Sequence, residues 1–144
     1  MKQHDRWVLV ANASSARLFR LENMHKLTEL EAFVHPESRL HEQDLVSSTP
    51  GREFASVGNR RHAYEPKTSQ KDHEHALFAK TLSAHLEGAR KNNYFQELYL
   101  VAAPSFLGIL RDALNPAITS TVKKEINKDL VHLSTQEILE QICQ

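Results

Sequence analysis

Two β-rich apolar runs set the strongest limits on the fold. Trp7-Val8-Leu9-Val10-Ala11-Asn12-Ala13 and Leu98-Tyr99-Leu100-Val101-Ala102-Ala103 are short, almost wholly apolar and free of charge. Runs of this kind are expected of strands buried on both faces. A sheet with such strands at its centre needs helices to cover it. The helical pattern that precedes the second run predicts a long crossover, which would set that strand parallel to one near the N-terminus.

The remaining pattern fills in the sheet and its covering layers. Asn12 to Ser15 supplies turn chemistry, and Ala16 to Leu21 reads as a second strand. After a polar turn at Glu22 to Lys26, Leu27 to Val34 reads as a third strand exposed on one side, with Thr28, Leu30, Ala32 and Val34 as its core face. These three segments predict an antiparallel meander. The apolar pattern then stops after Pro36 and resumes near Ala76. Ser69 with Asp72 forms a candidate capping box, just after Pro66. Phe78, Leu82, His85 and Ala89 follow at helical spacing, widened by Leu77, Ala84 and Leu86, and the helix is expected to end between Gly88 and Asn93.

Beyond the second buried run, Ser105 is the expected N-cap of a helix carrying Leu107, Leu110 and Leu114, which Asn115-Pro116 breaks. The stretch from Ala117 to Leu133 fits either a helix through Val122, Ile126 and Leu130 or a short edge strand near Thr119, Thr121 and Val122. Ser134, with Glu137 three residues on, opens a last helix that packs through Ile138 and Ile142. The expected fold is a single α/β (mixed α+β) domain over residues 1–144. It has a mixed sheet of about five strands, an antiparallel N-terminal meander and helices on both faces.

Charge narrows the functional classes. The formal net charge is zero, so there is no global field to draw nucleic acid or anionic membrane. Charge is instead segregated locally. Thr28 to Asp44 holds five acids against Arg39, a balance of −4; Thr49 to Lys71 holds five bases against Glu53 and Glu65, a balance of +3. The single cysteine, Cys143, excludes an intrachain disulfide and a cysteine-rich metal site. The apolar run at Trp7 is too short for a membrane span or a secretory core, so a cytoplasmic protein without membrane insertion is expected.

The polar stretch from Thr49 to His75, within a long loop over residues 37–70, is the expected working part, because long polar insertions in compact domains are uncommon. Arg52, Arg60, Arg61, His62 and Lys67 cluster there with Gly58 and Asn59, and arginine forks match phosphate and carboxylate alike. Tyr64 and Phe54 offer stacking surfaces for unpaired bases. A solvated loop whose arginines pair with the acidic run Glu37 to Asp44 fits the same residues equally well.

Other chemistries fit less well. Asp72-His73-Glu74-His75 does not make a metal site, since on a helix His73 and His75 point roughly 200° apart. Ser105 lies between a strand and a helix but lacks the flanking glycines of a nucleophile elbow. Gly51 and Gly58 match no phosphate-loop pattern. No cofactor is expected.

The order of short motifs resembles a bacterial family of proteins required for attachment to host cells. The motifs are Trp7 to Phe19, Pro50-Gly51-Arg52, Gly58 with Arg61-His62-Ala63, Glu65-Pro66, Leu100 to Pro104 with Leu107-Gly108, and Asp129-Leu130. That family in turn is similar to the middle domain of archaeal and eukaryotic peptide-chain release factors. The likeness implies a mixed sheet with helices on both sides and a long loop before the first major helix. In release factors that loop carries Gly-Gly-Gln; here it holds Gly58-Asn59-Arg60, with Gln70 further on, and no such triplet.

The resemblance therefore implies a non-catalytic module whose basic loop contacts RNA, the ribosome or another anionic partner. The contact residues would be drawn from Arg52, Gly58, Asn59, Arg60, Arg61, His62, Tyr64, Lys67 and Gln70. The alternatives are an ester hydrolase of the peptidyl-tRNA type, using His62, Gln70 or His73, and an adhesion-related factor acting through a protein partner.

Overall fold

The computed structural model describes residues 5–23, 25–35 and 66–143, with side chains from Lys71 onward in the helix that begins at Pro66. Five strands form one sheet: β1 (Arg6–Ala11), β2 (Ser15–Glu22), β3 (Lys26–Val34), β4 (Glu97–Ala102) and β5 (Val122–Ile126). Their order is β3-β2-β1-β4-β5. The first three make the expected antiparallel meander, while β4 runs parallel to β1 and β5 parallel to β4. Both apolar runs thus lie at the centre of the sheet, with Val8, Val10, Leu98 and Leu100 fully buried.

The helices are α1 (Pro66–Lys91), α2 (Pro104–Ala113), α3 (Pro116–Thr119) and α4 (Thr135–Ile142). One face of the sheet packs Leu9, Leu18 and Leu100 against Phe78, Leu82 and Leu86 of α1, Phe106 and Leu110 of α2, and Ile118 of α3. The other packs Val8, Val10, Phe19 and Val101 against Ile138, Leu139 and Ile142 of α4. Truncating a fully buried ring such as Phe19 or Phe106 would remove about 3–5 kcal/mol. At the amino end of the parallel strands, Trp7 stacks on Phe95 at 5.1 Å.

Helix boundaries follow local chemistry, with two corrections. Helix α1 begins at Pro66, so Ser69 lies inside it instead of capping it, and the last residues of the expected 37–70 loop are helical. Proline suits the first helical position, where its fixed φ fits and its missing N–H is no loss. Likewise α2 starts at Pro104 with Ala103 as N-cap; Ser105 is an exposed first-turn residue that caps nothing. The end of α1 is as read. Asn93 takes a left-handed φ of 62°, Tyr94 N–H donates to Ala89 O and Asn93 N–H to Arg90 O, both at 2.9 Å.

Asn115 and Pro116 do more than stop α2, since the Asn115 side chain accepts from Ile118 N–H at 2.8 Å and caps α3. The ambiguous stretch after it resolves into this short helix and the edge strand β5. Ser134 and Glu137 make the reciprocal capping box of α4, at 3.1 and 2.9 Å. The backbone N–H of Ser134 holds the Glu137 carboxyl below its ordinary range.

The buried face of β3 differs from the alternation read in the sequence. Leu27 is buried and Phe33 packs against the core, whereas Leu30 and Val34 are 42% and 50% exposed. The reason is a register shift. Leu18 lies opposite Glu31, but Phe19 lies opposite Glu29, which leaves Leu30 as an extra, bulged residue. The bulge sends Leu27 to the α4 side and Phe33 to the α1 side, so no single period-two set describes the strand. On α1, Leu77 and Ala84 also face outward, and Ala79 takes an inward place instead.

Candidate functional site at the carboxyl edge of the sheet

Because β1, β4 and β5 are parallel, their carboxyl ends meet along one edge. In open α/β sheets ligands bind outside this edge. Three stretches of the motif pattern converge there: Asn12 to Ser15 after β1, Ala103-Pro104 after β4, and Asp129-Leu130 after β5.

Asn12 organises the first of them. Its Oδ1 accepts the backbone N–H groups of Ser14 and Ser15 at 2.8 and 2.9 Å, and its own N–H donates to Ser15 O at 2.9 Å. The short polar side chain thereby fixes the tight turn into β2. The amide Nδ2 donates to the Asp129 carboxylate at 3.3 and 3.4 Å, tying the end of β1 to the segment after β5.

Arg17 secures the same segment from the α4 side. Its Nη1 donates to Val131 O at 2.9 Å and Leu133 O at 2.7 Å. Its Nε and Nη2 fork onto Glu29 at 3.3 and 3.0 Å, and the guanidinium lies 5.0 Å from the Phe19 ring centre. One side chain thus joins β2, β3 and the approach to α4. Planar, multiply donating arginine is suited to such a junction.

His35 marks where the chain leaves the sheet. Its N–H donates to Ser14 O at 2.9 Å and its ring stacks on Phe78 at 5.2 Å. The residue is 5% exposed, and its Nε2 has no hydrogen-bond partner among the described residues. The chain re-enters through α1. His85 of that helix meets Glu31 at 3.3 Å and Phe33 edge-on at 5.1 Å, so α1 runs back along the sheet from the His35 level. Pro66 lies roughly 18 Å along the helix axis from Phe78 at 1.5 Å per residue, on the outer side of the carboxyl edge.

The expected contact residues Arg52, Gly58, Asn59, Arg60, Arg61, His62 and Tyr64 lie outside the described residues. Lys67 and Gln70 fall in the first turns of α1. His73 is exposed and Glu74 buried, so the Asp72 to His75 run is spread around the helix. Among the described residues no group of three or more His, Cys, Asp or Glu is placed to hold a metal ion. Cys143 is exposed just past α4. The roles of Arg17, of the Asn12–Asp129 pair and of His35 have no signature in the sequence. Their partners lie far away in the chain, 117 residues for Asn12 and Asp129, and no local pattern announces them.

The fold and this edge define a single-domain α/β protein with a mixed five-stranded sheet and helices on both faces. The chain belongs to the family described as protein required for attachment to host cells, whose sequence pattern matches residues 7–142. It is also 38% identical over 110 residues to the uncharacterized protein RP470 of Rickettsia prowazekii (strain Madrid E). That match takes in 74% of this chain and 66% of RP470, so the chain spans just under two thirds of that relative. Among the described residues no helix is long and apolar enough to cross a membrane.

Proposed function

We propose that this protein is a non-catalytic binding module that engages RNA, free or within the ribosome, through the basic residues between β3 and α1. The observation that carries the reading is one of placement and charge. Thr49 to Lys71 holds five bases against two acids, and its last residues, from Pro66, form the start of α1 beyond the carboxyl edge. Three polar groups of the edge itself, Asn12, Arg17 and Asp129, are committed to holding the fold, and His35 is buried against Phe78. Recognition then falls to Arg52, Arg60, Arg61, His62 and Lys67, with Tyr64 as a stacking surface and Gly58, Asn59 and Gln70 as neighbours. The family's likeness to release-factor middle domains supports the same choice of partner, and the missing Gly-Gly-Gln supports binding over hydrolysis.

The test is capture of partners from lysate with and without ribonuclease, comparing the intact chain with an Arg60→Ala/Arg61→Ala variant. RNA retained by the intact chain, lost on ribonuclease treatment and reduced in the variant, is the expected result. Absence from ribosomal fractions at low salt, with no RNA retained, would overturn it.

The family description favours a second reading, a factor that acts in attachment to host cells through a protein partner. Partners retained after ribonuclease treatment, together with detection of the protein outside intact cells, would select that reading instead.

A further inference from the structure

Among the described residues the two edges of the sheet, β3 and β5, are unlike. Strand β5 is five residues long, with Lys124 at its centre and Glu125 already held by Arg111. A two-fold axis there would set Lys124 against its own copy. Strand β3 is nine residues long and leaves Leu30 exposed. Its Glu29 pairs with Arg17 and its Glu31 meets His85 of α1 at 3.3 Å, while Lys26 and Glu31 both remain exposed to a further partner.

The bulge decides what a second copy would meet. Glu29 and Leu30 together occupy one pairing position, between Thr28 opposite Arg20 and Glu31 opposite Leu18. With a two-fold axis through Thr28, antiparallel pairing sets Thr28 against its own copy and Leu27 against the bulge of Glu29 and Leu30. Lys26 then falls opposite Glu31 of the second copy. Lys26 and Glu31 lie on the same face of the strand only because the bulge shifts the alternation between them. Moving the axis one position toward Val34 sets Glu29 against its own copy, and moving it the other way separates Lys26 from Glu31.

We propose that β3 is a self-association edge, through which two copies of this chain join into one continuous ten-stranded sheet, held in register by two symmetric Lys26–Glu31 pairs. Cross-strand pairs of opposite charge stabilise such a junction and like charges directly opposite weaken it. The test is sedimentation of the whole chain over a range of concentration, with circular dichroism to verify folding of each variant. The wild type should show reversible dimerisation. Lys26→Glu and Glu31→Lys should each weaken it by about tenfold. The doubly reversed variant should regain the wild-type association, and the two single variants, mixed, should pair with each other. A wild type that stays monomeric at all concentrations overturns the proposal. So does a dimer that folded Lys26→Glu leaves unchanged, or one that the double reversal fails to restore.

Discussion

Replacing Arg17 tests how the carboxyl edge is held together. The side chain donates to two backbone carbonyls, Val131 O at 2.9 Å and Leu133 O at 2.7 Å, and forks onto Glu29. Hydrogen bonds from a charged donor are worth about 1.5–3 kcal/mol each, but water can replace part of them at a side chain that is 19% exposed. The pair with the more exposed Glu29 adds at most about 1 kcal/mol. Arg17→Ala should therefore cost about 3 kcal/mol. At about 2.1 cal/mol/K per residue, 144 residues give an unfolding entropy of about 0.3 kcal/mol/K, so Tm should fall by about 10 °C.

Arg17→Lys should lose roughly half as much, because one ammonium serves either the carbonyls or Glu29. Urea unfolding followed by circular dichroism measures both variants, and limited proteolysis reports whether the segment 127–133 loosens first. A loss below about 0.5 kcal/mol for Arg17→Ala would refute the reasoning and reduce the contacts to surface decoration.

Three further outcomes are expected. Gly108→Ala should raise stability by about 0.5–1 kcal/mol in thermal unfolding, since the glycine is inside α2 and an added Cβ meets nothing within 4 Å. Asn12→Ala should cost about 1–2 kcal/mol in the same assay, because the Ser14 and Ser15 N–H groups lose their acceptor. The third is a pH dependence at the C-terminal end of α1. Hydrogen bonds from Arg90, then Asn115, hold the Glu87 carboxyl down to about 2 from an ordinary value of 4.5. A lowered folded-state value means stability present above 4.5 and lost as pH falls toward 2. The advantage of wild type over Glu87→Gln should therefore be constant near neutrality and shrink over that window.

Much of the fold was legible because its signals are local. The charge-free runs at β1 and β4, Asn115-Pro116, the Asn92-Asn93 stop and the Ser134–Glu137 box each depend on a few adjacent residues. The readings that differed turn on competition between local rules. Ser69 and Ser105 are good caps in isolation, but Pro66 and Pro104 start each helix earlier. The face of β3 depends on a single bulged residue, which alternation cannot reveal. At the carboxyl edge, the sequence marks Asn12 as a turn residue, and its second contact, to Asp129, comes only from the parallel strand order. Arg17 gives no signal, because two of its acceptors are backbone carbonyls, which carry no sequence identity, and the third, Glu29, is brought to it by the pairing of β2 with β3.

The proposed RNA contact is tested most directly by binding of the whole chain to single-stranded RNA as a function of salt. For phosphate contacts, log K falls linearly with log salt, by about 0.7 per phosphate on a single strand. The account predicts retention at low salt, a clear negative slope, and a slope shallower by about 1.4 for Arg60→Ala/Arg61→Ala, two such contacts being removed. No binding at low salt, or binding with the same affinity and slope in the variant, would contradict it.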